Sequence, residues 1–449
     1  MATRRAFLLG SAAIAGGLAV GFRIYDMDRR PESIDLEPGQ SGLTPYVVID
    51  ASGITVITPR AEMGQGIHTT LAALVAEELD VDFEGIQVIH GPASEAYANN
   101  ILYGARPMWR RLRYRPTQAT GGQTSIRDAY VKMRQAGAAA RLMLLQAAAN
   151  RLGVAAETLE TRNGTVIDAD GNAVPYEELA AAAARIAPPQ DPPLKPRKQW
   201  RLLGQSLPRV DMVAKCTGTA EYAIDVSLPG MLYATVRRSP RLGGIMRGFD
   251  GAAAESMPGV ERLVPMDNGV IVVATNTWHA FNAARRLEID WGPAPYPETT
   301  EEHRQRIEAA FDQPYYYRPR DRGDVEAALQ RGTAIAGTYR VPYLAHATME
   351  PLSAVAWLRD GRLDIWAGNQ FPTLAQLVGS ELTGLPRNAV TVHTTYMGGG
   401  FGRRFEMDDV EAAVLAARAL PGTPVRVTYT REEDLTHDAY RPMASARFR

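Results

Sequence analysis

Three glycine-rich loops that each run directly into a helix-like segment constrain this chain more than any other feature of its sequence. They read M-G-Q-G at residues 63–66, T-G-G-Q-T-S at 120–125 and M-G-G-G-F-G at 397–402. A glycine loop at the N-terminus of a helix lets backbone N–H groups approach and bind an anion. Three such loops in one chain predict that a single large anionic cofactor is held from several sides.

The composition bounds the class of protein. The chain has 449 residues, of which 45% are hydrophobic and 22% charged, which is typical of a soluble globular protein with two or three domains. The formal net charge of −1 gives no electrostatic support to a nucleic-acid-binding role. We therefore expect no nucleic-acid partner.

Cysteine and histidine usage narrows the chemistry further. The single cysteine, Cys216, cannot form an intrachain disulfide framework, nor an iron–sulfur cluster, which needs about four thiolates. The seven histidines show neither H-x-x-x-H nor C-x-x-C companion spacing, so no protein-ligated metal site is predicted. Cys216 itself is expected to be a small core residue.

The N-terminus has the layout of an export signal. The sequence R-R-A-F-L at 4–8 opens an apolar run that continues to about residue 22. Adjacent arginines followed by Phe-Leu resemble a twin-arginine (Tat) signal, which exports proteins already folded. The alternative is a membrane anchor, although the run is short for a transmembrane helix of ~20 residues. The polar stretch that follows, to about residue 44, is interpreted as a tether.

Hydrophobic periodicity and turn residues predict a mixture of strands and helices. In the first part of the chain they predict a β-hairpin at 46–57, helices at 68–79, 125–152 and 176–185, and a strand at 87–90. Ser125 and Asp128 have the spacing of a capping box at the start of the long helix. In the remainder they predict strands at 231–236, 259–264, 270–274, 363–366, 390–394, 425–430 and 444–449, and helices at 280–287, at 371–382 and after Gly402. The last strand reaches the final residue without a cap or turn, which indicates part of a larger fold.

Proline-containing stretches indicate domain boundaries. Residues 187–196 have the composition of a proline-rich linker, and the run at 314–322 marks a second passage between domains. The segment 91–119 is long, irregular and rich in arginine, as functional loops often are.

None of the glycine loops fits a common catalytic or nucleotide-binding pattern. The third position after Gly66 is Thr69 and after Gly400 it is Arg403, so G-x-G-x-x-G is not formed. Neither a P-loop nor a G-x-S-x-G elbow occurs, which leaves a serine hydrolase without its nucleophile. A lone glycine loop is often only a structural turn. Polar side chains in or beside each loop favour cofactor contact instead, and they are Gln65, Thr124, Ser125, Arg403 and Arg404.

Several motifs together resemble those of the molybdenum subunits of the xanthine dehydrogenase and aldehyde oxidase family. They are E-M-G-Q-G-I-H-T at 62–69, H-A-T-M-E-P at 346–351, W-A-G-N-Q at 366–370, M-G-G-G-F-G at 397–402, and P-V-R-V with T-R-E-E-D within 424–434. The first motif precedes the G-G-G-F-G loop here, whereas it follows that loop in xanthine dehydrogenase proper. With the twin-arginine start and the lack of cluster cysteines, this order resembles the large (beta) chains of isoquinoline 1-oxidoreductase and related periplasmic aldehyde dehydrogenases. The resemblance covers about residues 45–449.

The resemblance implies an α+β fold, with molybdopterin-binding domains of the xanthine dehydrogenase type and an a/b hammerhead domain. The implied organisation is a signal and tether at 1–44, a molybdopterin-binding segment in rearranged order at 45–190, the hammerhead domain at 200–295, and a further molybdopterin-binding domain at 320–449 that is incomplete at its C-terminus.

The implied cofactor is molybdopterin with molybdenum, which in bacterial members is usually the cytosine dinucleotide form. Its pyrophosphate needs N–H donors, which glycine loops offer, and its dithiolene holds the metal without any protein thiolate. Glycines in the third loop would let the backbone approach the metal closely, and Phe401 could wall the substrate pocket. The expected cofactor contacts are Gly64, Gln65, Gly66, Gly122, Gln123, Thr124, Ser125, Gln370, Gly399, Gly400, Phe401, Gly402 and Arg403.

The implied reaction is oxidative hydroxylation of an electron-poor carbon, with water as the oxygen source and a glutamate as general base. In the family that glutamate lies in a G-x-G-E-P-like motif near the C-terminus, and this sequence has no such motif. The catalytic residues therefore stay unknown, with Glu350 and Arg441 as the candidates that the chain offers. The alternative for Glu350 is a structural or pocket-lining role, and for Arg441 a surface salt bridge.

Electrons must leave the cofactor after each turnover. The resemblance therefore implies a separate small subunit with two [2Fe–2S] clusters, with a cytochrome c or another acceptor beyond it. The expected location is the periplasm after Tat export, either free or tethered to the inner membrane. Aldehydes and N-heterocycles such as isoquinoline both fit as the small-molecule substrate. The competing hypothesis is a truncated, non-catalytic cofactor-binding or assembly fragment, which the lack of the glutamate motif favours.

Overall fold

The computed structural model divides into two compact units, each described separately. It describes residues 35–102, 116–314, 316–317, 319–320 and 322–449. The first unit contains the described residues up to 220 together with 370–374, and the second contains those from 221 to 369 and from 375 to 449. The predicted export signal lies outside the described residues, as does 103–115 of the arginine-rich loop. No helix within the described ranges is both long and apolar enough to cross a membrane.

The first unit is built on a four-stranded sheet and two packed helices. The strands β1 (Ser41–Thr44), β2 (Val47–Asp50), β3 (Gly53–Thr58) and β4 (Ile86–His90) lie side by side in that order. Strands β3 and β4 are parallel, and α1 (Ile67–Leu79) connects them. The helix α2 (Ser125–Leu152) packs on α1. The predicted hairpin and both helices are confirmed to within one residue.

Small residues let α1 and α2 approach closely. A Cβ at Gly137 in α2 would lie 2.5 Å from the carbonyl oxygen of Val75 in α1, so this contact requires glycine. Leu71, Met133 and Leu144 are fully buried around it. Burying each such side chain contributes about 1.5–3 kcal/mol to stability. The unit also contains β5 (Glu160–Arg162), β6 (Thr165–Ile167), β7 (Ala173–Pro175) and α3 (Tyr176–Ala183).

The proline-rich segment predicted as a linker is bound to the first unit. Glu78 on α1 accepts hydrogen bonds from Arg134 at 2.6 and 2.8 Å and from the backbone N–H of Lys195 at 3.0 Å. The neighbouring Glu77 accepts three backbone N–H groups of residues 201–203 at 2.7 to 3.1 Å. Two buried carboxylates of one helix thus hold Lys195 and residues 201–203, and this unit continues to residue 220.

The prediction that Cys216 is a core residue is wrong. Cys216 is exposed on the short helix α4 (Met212–Thr217), with its sulfur 3.6 Å from that of Met212. Charge rather than an apolar face anchors this helix, because the buried carboxylate of Asp211 before it lies 2.7 Å from Arg209 and 2.5 Å from Lys215.

The second unit contains a seven-stranded sheet. Its strands are β8 (Leu232–Arg238), β10 (Val260–Met266), β11 (Gly269–Ala274), β14 (Ser353–Arg359), β15 (Arg362–Ala367), β16 (Val390–Thr394) and β17 (Val425–Thr428), in the order β10-β11-β8-β17-β14-β15-β16. Two small sheets pair β9 (Met246–Asp250) with β12 (Glu288–Trp291) and β13 (Gly337–Val341) with β18 (Ala444–Phe448). The helices are α5 (Ala252–Glu255), α6 (Thr277–Ala284), α7 (Thr300–Ala309), α8 (Val325–Gln330), α9 (Pro372–Thr383), α10 (Asp408–Ala419) and α11 (Arg431–Thr436), of which α9 belongs to this unit from residue 375 onward.

The main sheet combines two segments that the sequence places in different domains. Strand β8, from the predicted hammerhead segment, pairs in parallel with β17, from the predicted C-terminal domain. The α+β fold class is confirmed, since strands and helices mix within each unit.

Candidate functional site

The first glycine loop holds an internal anion, the carboxylate of Glu62. Its Oε1 accepts the backbone N–H groups of Gly64 at 2.8 Å and Gly66 at 3.0 Å, and its Oε2 accepts that of His68 at 3.1 Å. The carboxylate is buried and lies 3.2 Å from Arg209. The loop therefore has the anion-binding geometry that the sequence predicts, with a side chain as the anion.

The Gln65 side chain is also used within this loop. Its Oε1 accepts the N–H of Met63 at 2.7 Å, and its Nε2 donates to the carbonyl of Ala61 at 2.9 Å. Contact of Gly64, Gln65 and Gly66 with a cofactor stays a prediction, and a phosphate there would compete with Glu62 for the same donors.

The second glycine loop presents the start of the 28-residue helix α2. Gly122 and Gln123 are exposed and have left-handed backbone, with φ of 59° and 56°. The N-cap is Thr124 rather than Ser125, and its side chain does not cap the helix. Its hydroxyl instead donates to the carbonyl of Gly121 at 2.6 Å and accepts from Asn99 at 2.7 Å. A helix start without a side-chain cap keeps its first N–H groups available to an anion.

Gln370 secures this loop from 250 residues further along the chain. Its backbone carbonyl accepts the N–H of Thr120 and its Nε2 donates to the carbonyl of Thr120, both at 2.8 Å. The Thr120 hydroxyl also accepts the N–H of Ala61 at 2.8 Å. The structure thus brings Gln370 to the second loop within the first unit.

The predicted capping box at Ser125 and Asp128 is not formed. Asp128 is buried, and it forms an ion pair with Arg60 and a second one, at 2.7 Å, with Lys132. Its other oxygen accepts the N–H of Asn100 at 2.9 Å. Asp128 pairs with the buried guanidinium of Arg60 instead of capping the helix, and this ion pair holds the first turn of α2 in place.

The third glycine loop, in the second unit, is paired with the segment that contains Glu350. The N–H of Gly398 donates to Glu350 Oε2 at 2.8 Å, and the Glu350 N–H donates to the Gly398 carbonyl at 3.1 Å. A Cβ at Gly398 would lie 2.4 Å from the Cβ of Glu350. Glu350 thus supports the loop, which agrees with the structural role given above as its alternative. Burial raises the pKa of Glu350, although the positive charge of Arg404 acts in the opposite direction.

Beyond Gly398 the third loop contains left-handed backbone and one exposed aromatic ring. Gly399 and Gly402 have φ of 103° and 110°, and Phe401 has a φ of 55°. The Phe401 ring is 73% exposed, whereas Gly400 is buried. A non-glycine residue in left-handed conformation carries strain, which often marks a functional loop.

Arg403 points into a cluster of carboxylates. It is buried, with its Nη1 2.9 Å from Asp408 and its Nε 3.2 Å from Asp438 and 3.5 Å from Asp434. Arg404 is equally buried and donates to Glu350 Oε2 at 3.1 Å. Contact of Arg403 with a cofactor stays a prediction, and the observed partners give both arginines a supporting role beneath the loop.

Arg441 lies on the surface of the second unit. Its backbone pairs with Leu344, and its Nη2 donates to the carbonyl of Pro342 at 2.7 Å. The side chain thus holds a neighbouring segment through a carbonyl group. Among the described residues, no group of three or more His, Cys, Asp or Glu side chains is placed to hold a metal ion.

Asp409 makes stability depend on pH. Burial raises its pKa from 3.8 to about 6, although Arg404 lies 3.9 Å away and is shared with Glu350. As pH rises from about 4 to 6 the unfolded chain ionises first, so the wild type loses stability over that interval. We expect Asp409→Asn to match the wild type near pH 4 and to exceed it by about 2–3 kcal/mol at pH 7.

Urea unfolding at several pH values tests this expectation. Asp360→Asn is the matched control, because Asp360 is exposed in the turn between β14 and β15. A stability difference for Asp409→Asn that does not grow with pH would contradict it.

Glu62, His346 and Asp438 were not singled out from the sequence. Glu62 and His346 lie inside the quoted motifs, but the motifs give no partner for either. The partner of His346 is Asp438, 92 residues later, which accepts the His346 N–H at 2.6 Å and lies 2.8 Å from its Nδ1. Such pairs form only when the chain folds, and the spacing of the two residues in the sequence does not predict them.

Two family models, each described as a molybdopterin cofactor-binding domain, match this chain, one over residues 13–107 and the other over residues 308–449. These ranges include the first and third glycine loops respectively.

Curated relatives match most of the chain. The beta chain of isoquinoline 1-oxidoreductase from Brevundimonas diminuta is 30% identical, over 99% of this chain and 61% of that protein. A membrane-bound aldehyde dehydrogenase of Gluconacetobacter polyoxogenes is 29% identical over 100% and 58%, and one of the subunits of nicotinate dehydrogenase from Pseudomonas putida is 30% identical over 88% and 33%. The chain spans less than two thirds of each. Among solved structures, aldehyde oxidoreductase of Desulfovibrio gigas has a TM-score of 0.44 at 20% identity, over 55% of this chain and 32% of that one.

Proposed function

Because this chain belongs to the family of molybdopterin-dependent oxidoreductases that includes xanthine dehydrogenase, we propose that it forms the cofactor-binding part of a molybdenum hydroxylase large subunit. The observation that carries the proposal is the start of α2, a 28-residue helix without a side-chain cap that follows the exposed Gly122 and Gln123. A helix of this length attracts a phosphate or pyrophosphate group to its first turn.

The residues present fit a pterin dinucleotide. Backbone N–H groups at 122, 123 and 125 would bind its pyrophosphate, and Gln370 holds that loop in place through Thr120. In the second unit, the backbone at 399–402 is a separate candidate for cofactor contact, because no side chain but Phe401 projects from that loop before Arg403. When bound, the cofactor supplies the redox chemistry that hydroxylates a substrate with oxygen from water. The chain's own part is to bind the cofactor, to shape the pocket with Phe401, and to hold or move protons.

The relatives support a choice of substrate and partner. Their names contain isoquinoline, aldehyde and nicotinate, so the proposed substrate is an aldehyde or an N-heterocyclic aromatic. Two are named as subunits, which supports a complex with at least one further chain. The proposed partners are a small [2Fe–2S] subunit that takes the electrons and a cytochrome c that accepts them further on. The proposed cofactor form is the cytosine dinucleotide, and the proposed location is the periplasm after Tat export. The second candidate is a cofactor-binding or assembly fragment without turnover.

The first test is molybdenum per chain, measured by elemental mass spectrometry on protein purified from its native host with partners retained. A ratio near one supports the proposal, and turnover of isoquinoline or an aldehyde by the same sample separates hydroxylase from fragment. Folded, exported protein without molybdenum would overturn the proposal.

A charge placed at the start of α2 tests the proposed phosphate site. Ser125→Asp should weaken cofactor binding about tenfold or more through repulsion, while it stabilises the cofactor-free helix by about 0.3–1 kcal/mol. Ser125→Asn has the same shape without the charge and serves as the matched control. Lower molybdenum content together with an unchanged or higher melting temperature is the expected result, and equal content in both variants would contradict the site.

A further inference from the structure

The two histidines of the first unit lie side by side where strands β3 and β4 end. His90 is the last residue of β4 and lies opposite Thr58 at the end of β3, whereas His68 belongs to the first turn of α1. Their ring centroids are 6.3 Å apart. His68 is buried, and so is the Nε2 atom of His90. Burial disfavours the charged form of an imidazole, so both rings are held in the neutral form.

The charges around the pair also oppose protonation of His90. Burial is the main cause that lowers the pKa of His90 from 6.5 to about 3, and His68 and Arg60 lower it further, against a backbone hydrogen bond to Gly91. Burial also lowers the pKa of His68, although the carboxylate of Glu62 acts in the opposite direction. The charged groups that face the pair from neighbouring segments are Arg60, Glu62, Asp211 and Lys215, and Arg60 is itself paired with Asp128.

The segment after β4 connects this pair to the start of α2. The N–H of Gly91 donates to the carbonyl of Thr58 at 2.9 Å, which continues the pairing of β4 with β3. Further along, the Asn99 side chain donates to the hydroxyl of Thr124 at 2.7 Å, and the N–H of residue 100 donates to Asp128 at 2.9 Å. Strand β4 lies at the edge of the four-stranded sheet, so its end can separate from β3 without breaking another strand pair of that sheet.

We propose that His68 and His90 form an acid-sensitive latch that holds the end of β4 against β3 and opens when the surroundings become acidic. The open form exposes both rings to water and takes up protons that the closed form disfavours. For His90 this stabilisation is complete above a pH of about 6.5 and is lost as the pH falls toward about 3. Opening also loosens the segment at 91–100 and with it the start of α2. The latch is independent of the proposed function, because it concerns the chain whether or not a cofactor is bound.

Hydrogen exchange of the full chain at several pH values tests the latch. Mass spectrometry of the peptide 86–99, expressed as protection factors, gives the opening constant of this region. In the wild type this constant should rise about tenfold or more as the pH falls from about 5.5 to about 4. In His90→Gln, which cannot be protonated, the rise should be about tenfold smaller. An equal rise in the two proteins would overturn the inference.

His393→Gln is the matched control for this experiment. His393 is exposed in the second unit, where it pairs with Asp364 at 3.1 Å, so the variant should keep the wild-type response of the peptide 86–99. Asp409 also titrates in this pH range, but it belongs to the second unit, whereas the peptide reports on the first.

The pKa of His90 in the wild-type chain is the second readout, and it needs no variant that folds. Deuterium exchange at the Cε1 position of each imidazole, followed by mass spectrometry, gives the pKa of each histidine separately. A pKa of His90 well below 6.5 is the expected result. A pKa at or above 6.5 would overturn the inference, because the closed form would then accept the proton as readily as the open form does.

Discussion

Replacing Asp128 by asparagine is expected to lower the free energy of unfolding of the first unit by about 3–5 kcal/mol. The Asp128 carboxylate and the Arg60 guanidinium are 2% and 0% exposed, so neither charge has water as an alternative partner. Lys132 adds a second cation at 2.7 Å, and the N–H of Asn100 donates at 2.9 Å. Removal of one charge leaves Arg60 buried without its counterion, which costs more than the pair contributes when intact.

Urea unfolding followed by circular dichroism measures this effect. Asp170→Asn makes the same chemical change in an exposed turn of the same unit and should alter stability by less than about 0.5 kcal/mol. A loss below about 1 kcal/mol for Asp128→Asn would show that Lys132 or water replaces the pair. The variant also reports on the candidate site, because Asp128 lies in the first turn of the helix proposed to bind phosphate.

The elements were predictable because local apolar patterns determine them. The helix at 125–152 and the strand at 390–394 have the predicted bounds, since each repeats apolar residues at its own period over its full length. The residue that caps a helix is harder to predict from the sequence than the helix itself. Ser125 and Asp128 have the spacing of a cap, but a buried arginine 68 residues earlier in the chain competes for the aspartate and wins.

The candidate site was predictable only as a set of loops. A loop with exposed N–H groups looks the same in sequence whether its anion is a cofactor or a neighbouring carboxylate, so the role of Glu62 could not be inferred. The contacts of Gln370 with Thr120 and of His346 with Asp438 join residues 250 and 92 positions apart. The attachment of the proline-rich segment was missed for the same reason, because proline content does not reveal that Glu78 binds the backbone of Lys195.

Replacing Gly398 by alanine should disrupt the third loop. The new Cβ would lie 2.4 Å from the Cβ of Glu350 and 3.1 Å from its backbone nitrogen, and neither atom can move without the chain that carries it. Overpacking of this kind costs about 1–3 kcal/mol. Displacement of Glu350 would also leave the buried Arg404 without the carboxylate at 3.1 Å, which adds a cost of about 3–5 kcal/mol.

The expected result for Gly398→Ala is therefore a lower melting temperature together with loss of bound molybdenum and of turnover. The φ of Gly398 is not in the left-handed region, so the effect tests the close approach of the two segments rather than backbone strain. Gly332→Ala is the matched control, because a Cβ there meets no atom within 4 Å. If both variants have the same melting temperature and the same molybdenum content, the contact between Gly398 and Glu350 does not hold the loop. If Gly398→Ala melts early but retains molybdenum, the loop supports the fold without contributing to the cofactor site, and Gln370 with the start of α2 would be left as the part of the chain that holds the cofactor.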